Sequence, residues 1–166
     1  MSVRRKKTKK NPCGAAAPFR VVLVEPDIPW NTGNVGRTCL GWGAELHLVG
    51  KLGFSLEDRY LKRAGLDYWP SVKLFVHPDA GEFFRDFPPG NAFFLSARAK
   101  KPFWRARIRP GAALVFGSET QGLPTSLRKR FRSRFYRIPF TGPIRSFNLS
   151  TAAGMVLGEA VRQNSR

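Results

Sequence analysis

The sequence predicts an α/β fold, a mostly parallel sheet flanked by helices. Three observations lead there. Apolar runs of strand length recur along the whole chain. Segments with helical start and stop signals separate them, and these are long enough to be crossovers between parallel strands. The runs are apolar at consecutive rather than alternate positions, as strands covered on both faces must be. In such sheets ligands bind beyond the carboxyl ends of the strands, so the loops after the strands are where a site is to be sought.

FRVVLVE (residues 19–25) is rich in Val and stops at Pro26, which suits a buried strand better than a short helix. NTGNVGRTCLGWG follows, with Asn31 as a suitable N-cap, apolar groups at Val35, Cys39 and Leu40, and a stop at Gly41 to Gly43, and is expected to be a helix. ELHLVG is the next strand, LEDRYLKRAG a short helix, VKLFVH a strand, and PDAGEFFRDF a helix opened by Pro78 and Asp79. NAFFLSA and ALVFG are strands, PTSLRKRFR a helix from Pro124, FYRIPF a short strand, and residues 146–163 the final helix. Leu149, Ala152, Ala153, Val156, Leu157, Ala160 and Val161 share one broad face of that last helix, and its two adjacent alanines permit close packing. No internal repeat is present. The expected organisation is a basic, disordered arm over residues 1–18 and one domain over 19–166.

With 166 residues and 42% apolar side chains, the chain has enough to bury a core. Its charge is the first functional clue: 29 Lys and Arg against 11 Asp and Glu give +18. The opening MSVRRKKTKK carries six of those positive charges and no acid, so the remainder still holds +12, six fewer than the total. A polyanion is the partner that such a balance implies. The basic opening lacks the apolar stretch of a secretory signal or a membrane span. Cys13 and Cys39 form no metal-binding or redox pair, which points to a reducing compartment, the cytoplasm. His47 and His77 stand isolated at strand positions and read as structural, so no metal site is expected.

Three stretches carry candidate chemistry. NTGNVGR opens a helix after a strand, but it lacks the first G-x-G pair of a dinucleotide fingerprint, and no ribose-binding acid follows the second strand. In LVFGSETQGLP a strand ends at Gly117 and the lone acid Glu119 follows. Beyond Asp86 the chain carries just Glu119 and Glu159 as acids among many cations, so Glu119 is expected to meet a specific donor, in catalysis or as a cap or ion pair. IPFTGPIRSFNLSTAAG is a polar turn before an apolar helix. There Ser146 or Asn148 is placed to cap the helix and Arg145 adds a cation, which suits an anionic or zwitterionic ligand. Two further segments, RAKKPFWRARIR and RKRFRSRFYR, hold six positive charges each with aromatics between them, a pattern for phosphate contact plus base stacking.

NTGNVGR, LVFGSETQGLP and IPFTGPIRSFNLSTAAG, in that order, resemble the three motifs of the SPOUT-class RNA 2'-O-methyltransferases of the SpoU type. EPDIPWNTGN and RAGLDYW narrow the resemblance to the single-domain tRNA (cytidine/uridine-34-2'-O)-methyltransferases. The likeness spans roughly residues 19–163 and leaves out the basic arm.

The resemblance implies a C-terminal deep trefoil knot, which no periodicity predicts. It implies S-adenosylmethionine bound at Leu95, Gly117, Ile138 and Ser146. Arg37 is the implied catalytic residue, orienting the ribose hydroxyl and its phosphate rather than acting as a base. Asn31 would brace its loop, Glu119 would hold Arg37 or a nearby amide, and Asn148 would fix the knot loop beside Ser146. The implied partners are a tRNA anticodon stem-loop and a second copy of the chain, with the knot helices at the dimer seam. Arg63, Arg98, Lys100, Lys101, Arg105, Arg128, Lys129, Arg130 and Arg145 are the candidate RNA contacts. The alternatives are a relative that methylates ribosomal RNA and a non-catalytic basic RNA-binding protein on the same fold.

Overall fold

In the computed structural model, which describes residues 18–56 and 67–165, the six expected strand runs become strands and a seventh, short strand joins them. They are β1 (Arg20–Val24), β2 (Glu45–Val49), β3 (Leu74–His77), β4 (Ala92–Leu95), β5 (Lys101–Pro102), β6 (Ala113–Phe116) and β7 (Phe135–Arg137). The described helices are α1 (Pro29–Trp42), α2 (Ala80–Asp86), α3 (Thr125–Arg130) and α4 (Leu149–Asn164). The basic arm, Cys13, Arg63 and the helix expected over LEDRYLKRAG lie outside the described residues, apart from the arm's last residue, Pro18, and that helix's first, Leu56.

The sheet runs β3–β2–β1–β6–β4–β7–β5, and every neighbouring pair is parallel. Side chains alternate across it, so each strand feeds two cores. On one side Val21, Leu23, Leu46, Leu48 and Leu114 pack with Val35 and Cys39 of α1 and Ala153, Val156 and Leu157 of α4. On the other, Val22, Val24, Phe94 and Val115 pack with Phe83, Phe84, Leu127 and Phe131. Burial on both faces explains why the strands read as unbroken apolar runs. Burial also pushes the Cys39 thiol up to about 12, which leaves it unreactive.

Three boundaries and one strand depart from expectation in ways that bear on the site. Helix α1 starts at Pro29, two residues before Asn31, because proline at the first helical position is already set at a helical φ. Ile28 is its N-cap, and Asn31 lies inside the first turn with its side chain turned to other partners. Helix α4 starts at Leu149 because Asn148 caps it, accepting from the amides of Ser150 and Thr151, so Ser146 lies outside the helix. The FYRIPF strand ends at Arg137, which leaves Ile138 in the following loop. Strand β5 lies in a basic segment with no strand signal, and it forms because an edge position tolerates charge and proline.

Helix α4 follows the loop after β7 and returns to pack on α1 and β6. Its last turn is clipped to the chain between β5 and β6. Gln163 Nε2 donates to Ala106 O (3.0 Å), Ile108 N donates to Gln163 Oε1 (3.0 Å), and Asn164 Nδ2 donates to Ile108 O (2.8 Å).

His47 and His77 are not isolated. They sit on adjacent strands with His47 Nδ1 3.0 Å from His77 Nε2, their rings stacked and bordered by Phe83 and Phe87. His47 Nε2 faces Glu45, which also pairs with Arg20. Burial is the main reason that the His47 pKa drops to about 4, against the pull of Glu45. A histidine depressed in the folded state binds its proton more readily when unfolded, so its contribution is complete above about pH 6.5 and is lost as pH falls toward 4. Urea denaturation at stepped pH is expected to show a loss of about 3 kcal/mol across that window. His47→Phe should flatten most of that slope.

Candidate active site at the carboxyl ends of the strands

Strand β1 ends in a sharp turn at Glu25, which has φ 51°. From there residues 26–30 cross toward the loop that follows β6. These two strands are neighbours whose onward connections run to opposite sides of the sheet, the place where parallel sheets open a crevice. The loop after β6 is a tight turn closed on itself. Gly122 N donates to Ser118 O (3.0 Å), Gln121 N donates to Ser118 Oγ (3.0 Å), and Gly122 takes φ 70°. A Cβ at Gly117 would collide with the backbone of Gly122 and Leu123. The missing side chain at Gly117 therefore makes room for this turn.

The turn presents Glu119 to two donors. Its Oε2 accepts from Asp27 N (2.8 Å) and its Oε1 from Asn31 Nδ2 (2.8 Å). Asn31 Oδ1 then accepts from Asn148 Nδ2 (3.0 Å), and Asn148 Oδ1 accepts from Ser150 N (2.9 Å), Thr151 N (3.4 Å) and Ser150 Oγ (2.7 Å). A carboxylate only accepts, so it orients the Asn31 amide, which orients the Asn148 amide, whose oxygen is left for the α4 N-terminus. Asp27 returns the link, accepting from Thr120 Oγ1 (2.6 Å) and Thr120 N (3.3 Å). One residue from each sequence motif thus meets in a single directed line. Glu159, the other late acid, pairs with Arg162 instead.

Arg37 stands exposed on α1 and makes no ion pair with Glu119, which takes the Asp27 amide, the other partner that the sequence allowed. The Arg37 guanidinium lies 5.2 Å from the centroid of the Tyr68 ring, and Tyr68 OH donates to Gly33 O (3.0 Å). Burial raises the Tyr68 pKa although Arg37 opposes it, so the hydroxyl is held as a donor. Gly36 of NTGNVGR has a packing reason as well. A Cβ on Gly36 would come within 2.6 Å of the Trp69 ring, so the missing side chain there lets Trp69 pack against α1. Asp27, Tyr68 and Trp69 were missed as supports of the site. Only their partners in space reveal them, although EPDIPW and RAGLDYW had been marked as distinctive.

The expected cofactor positions fall along one edge. Leu95 ends β4, Gly117 follows β6 and Ile138 follows β7, three adjacent strands. Leu95 is buried, Ile138 is half-buried against the core, and Ser146 is exposed in the loop before α4. That loop also walls an apolar cleft of about 450 Å³ between Trp104 and Phe140, Ile144 and Phe147. Beside it a second cleft of about 450 Å³ brings Lys100, Lys101 and Arg105 together around Tyr136. Arg98, Lys129, Arg130 and Arg145 are exposed. Arg128 is half-buried with its Nε donating to Leu123 O (3.0 Å), so part of that guanidinium serves the turn. Among the described residues no group of three or more His, Cys, Asp or Glu is placed to hold a metal ion, and no helix is long and apolar enough to cross a membrane.

Glu119→Gln offers one acceptor oxygen to two donors, so it should strand one of them and reverse part of the amide line. The expected cost is about 1–3 kcal/mol in urea denaturation, with faster hydrogen exchange at the Ser150 and Thr151 amides.

Known proteins share this arrangement of elements. A tRNA (cytidine(34)-2'-O)-methyltransferase of Acidovorax sp. (strain JS42) is 43% identical over 150 residues, 89% of this chain and 93% of its own. A solved structure described as giving structural insights into the 2-OH methylation of C/U34 on tRNA superposes with a TM-score of 0.83 at 44% identity, covering 90% of this chain and 97% of that one. The AdoMet-bound rRNA methyltransferase from Sinorhizobium meliloti superposes with a TM-score of 0.77 at 25% identity, over 89% of this chain and 57% of that one. Residues 18–158 match the SpoU rRNA Methylase family, and the chain belongs to that family.

Proposed function

We propose that this chain transfers a methyl group from S-adenosylmethionine to the ribose 2'-oxygen of the wobble nucleotide, cytidine or uridine 34, of tRNA. The observation that carries this reading is the line from Glu119 through Asn31 to Asn148, which binds the three motif loops at the carboxyl edge of the sheet. The tRNA (cytidine(34)-2'-O)-methyltransferase relative at 43% identity supports the choice of substrate.

The residues fit S-adenosylmethionine. Leu95 and Ile138 offer an apolar wall at the ends of adjacent strands, and Ser146 an exposed hydroxyl. When bound, the cofactor supplies an electrophilic methyl carbon on a sulfonium. The chain's own residues then position the acceptor. Arg37, supported by Tyr68, holds the 2'-hydroxyl and the adjoining phosphate and stabilises charge there, since a guanidinium is a poor base. Asn31 and Asn148 keep the loops on either side at fixed spacing, so that the reacting groups meet in line. The C-terminal segment forms the trefoil knot of the family. This reading is supported by the return of α4 to α1 and by the clip of its last turn to residues 106–108.

The protein acts in the cytoplasm as a homodimer with α1 and α4 at the seam. The apolar face of α4 is largely consumed within the chain, so the seam draws on apolar side chains that stay exposed, among them Leu40 and Trp42 at the end of α1 and Met155 on α4. A ribosomal RNA substrate is the second reading, favoured by the description of the family and by the Sinorhizobium relative.

Purified protein with unmodified tRNA and labelled S-adenosylmethionine should incorporate methyl groups at position 34, and Arg37→Ala should lower the rate by about a hundredfold or more. Arg37→Lys should recover little, because an ammonium lacks the planar fork. No incorporation into tRNA, or full activity of Arg37→Ala, would sink the proposal, and methylation confined to ribosomal RNA would select the second reading.

Binding of the anticodon stem-loop should fall about a thousandfold between 50 and 200 mM salt if about six phosphates are contacted. Replacing Lys100 and Lys101 by Ala should reduce the salt slope by about two.

A further inference from the structure

Trp30 is 65% exposed, the most exposed of the large apolar side chains described, and it contributes little to either core. Its place is particular. It belongs to the first turn of α1, immediately before Asn31, whose side chain is buried in the hydrogen-bonded line to Glu119 and Asn148. Seven residues on, two turns along the same face, stands Arg37, with Asn34 between them, and all three are exposed. Helical rise sets Trp30 and Arg37 about 10 Å apart along the axis. Ile28, 42% exposed, extends the apolar surface at the Trp30 end. The face therefore presents a flat indole, a neutral amide and a guanidinium, in that order, running back along α1 from the carboxyl edge of the sheet. A chain of +18 offers this face to a polyanion.

We propose that Trp30 is a stacking platform for a nucleobase of the RNA substrate, the base next to the ribose and phosphate that Arg37 engages. An indole stacks on any base, whereas the guanidinium takes the backbone, so the row reads one nucleotide and its neighbour together. The start of α1 is fixed by Pro29 and by the Asn31 line, so the indole is carried on a rigid element and little ordering is needed on binding. This inference rests on the RNA methyltransferase reading above and adds to it the residue that holds the base.

The test measures the affinity of an anticodon stem-loop RNA across a salt series for the full chain and for Trp30→Ala and Trp30→Phe. Trp30→Ala should bind about tenfold to a hundredfold more weakly with an unchanged salt slope, because a stack is lost and no phosphate contact is. Trp30→Phe should recover most of that loss. Equal affinity of Trp30→Ala and the parent chain overturns the proposal. So does a loss that Phe does not repair and that accompanies dissociation in sedimentation, which would make the indole a subunit contact. If the parent chain itself binds no RNA, the methyltransferase reading falls and takes this one with it, a result distinct from a failure at Trp30 alone.

Discussion

The carboxylate of Glu119 is the constraint on which the rest of the site depends. It accepts from the Asp27 amide and from Asn31, and because it has no proton to give, every group downstream has a fixed direction. The Asn31 oxygen must face Asn148, and the Asn148 oxygen must face the start of α4. Two asparagines alone could flip together and leave the helix uncapped. With the carboxylate in place, three loops far apart in sequence hold one geometry.

This arrangement also accounts for the composition of the region. Beyond Asp86 the chain is basic, and of its two acids there Glu119 stands where the crevice opens, facing Asp27 from the first motif's side. Glu119 gives its two oxygens to internal donors and is not paired with Arg37, which leaves the guanidinium exposed on α1. Tyr68 then limits where that guanidinium can go without neutralising it. Anchoring is done by neutral amides and by two carboxylates, Glu119 and Asp27, while Arg37 and Trp30 stay exposed.

Much of the fold was legible because burial on both faces of a parallel sheet writes itself into the chain as consecutive apolar residues. The Val-rich run at β1 and the Ala113–Phe116 run at β6 are central strands, and their sequences contain little else. The apolar face of α4 was legible for the same reason, since helical period and core contact coincide. Strand β5 was not, because an edge strand of Lys and Pro carries no burial signal. The pairing of His47 with His77 was not legible either, since the two are 30 residues apart and meet through strand register.

By itself the sequence determined the alternation of strands and helices, the basic charge, the apolar face of the last helix and the three polar stretches that are candidates for the site. Those properties are local, written in the side chains of neighbouring residues. The tertiary structure alone decided that Asn31 reaches for Glu119 and Asn148 and does not cap its own helix, that Gly117 makes room for its own turn, and that Trp30 stands in line with Arg37 on open surface. The physical reason is that hydrogen-bond partners, steric clearance and exposure are relations between segments distant in the chain, and they exist only once the parallel sheet has set β1 beside β6.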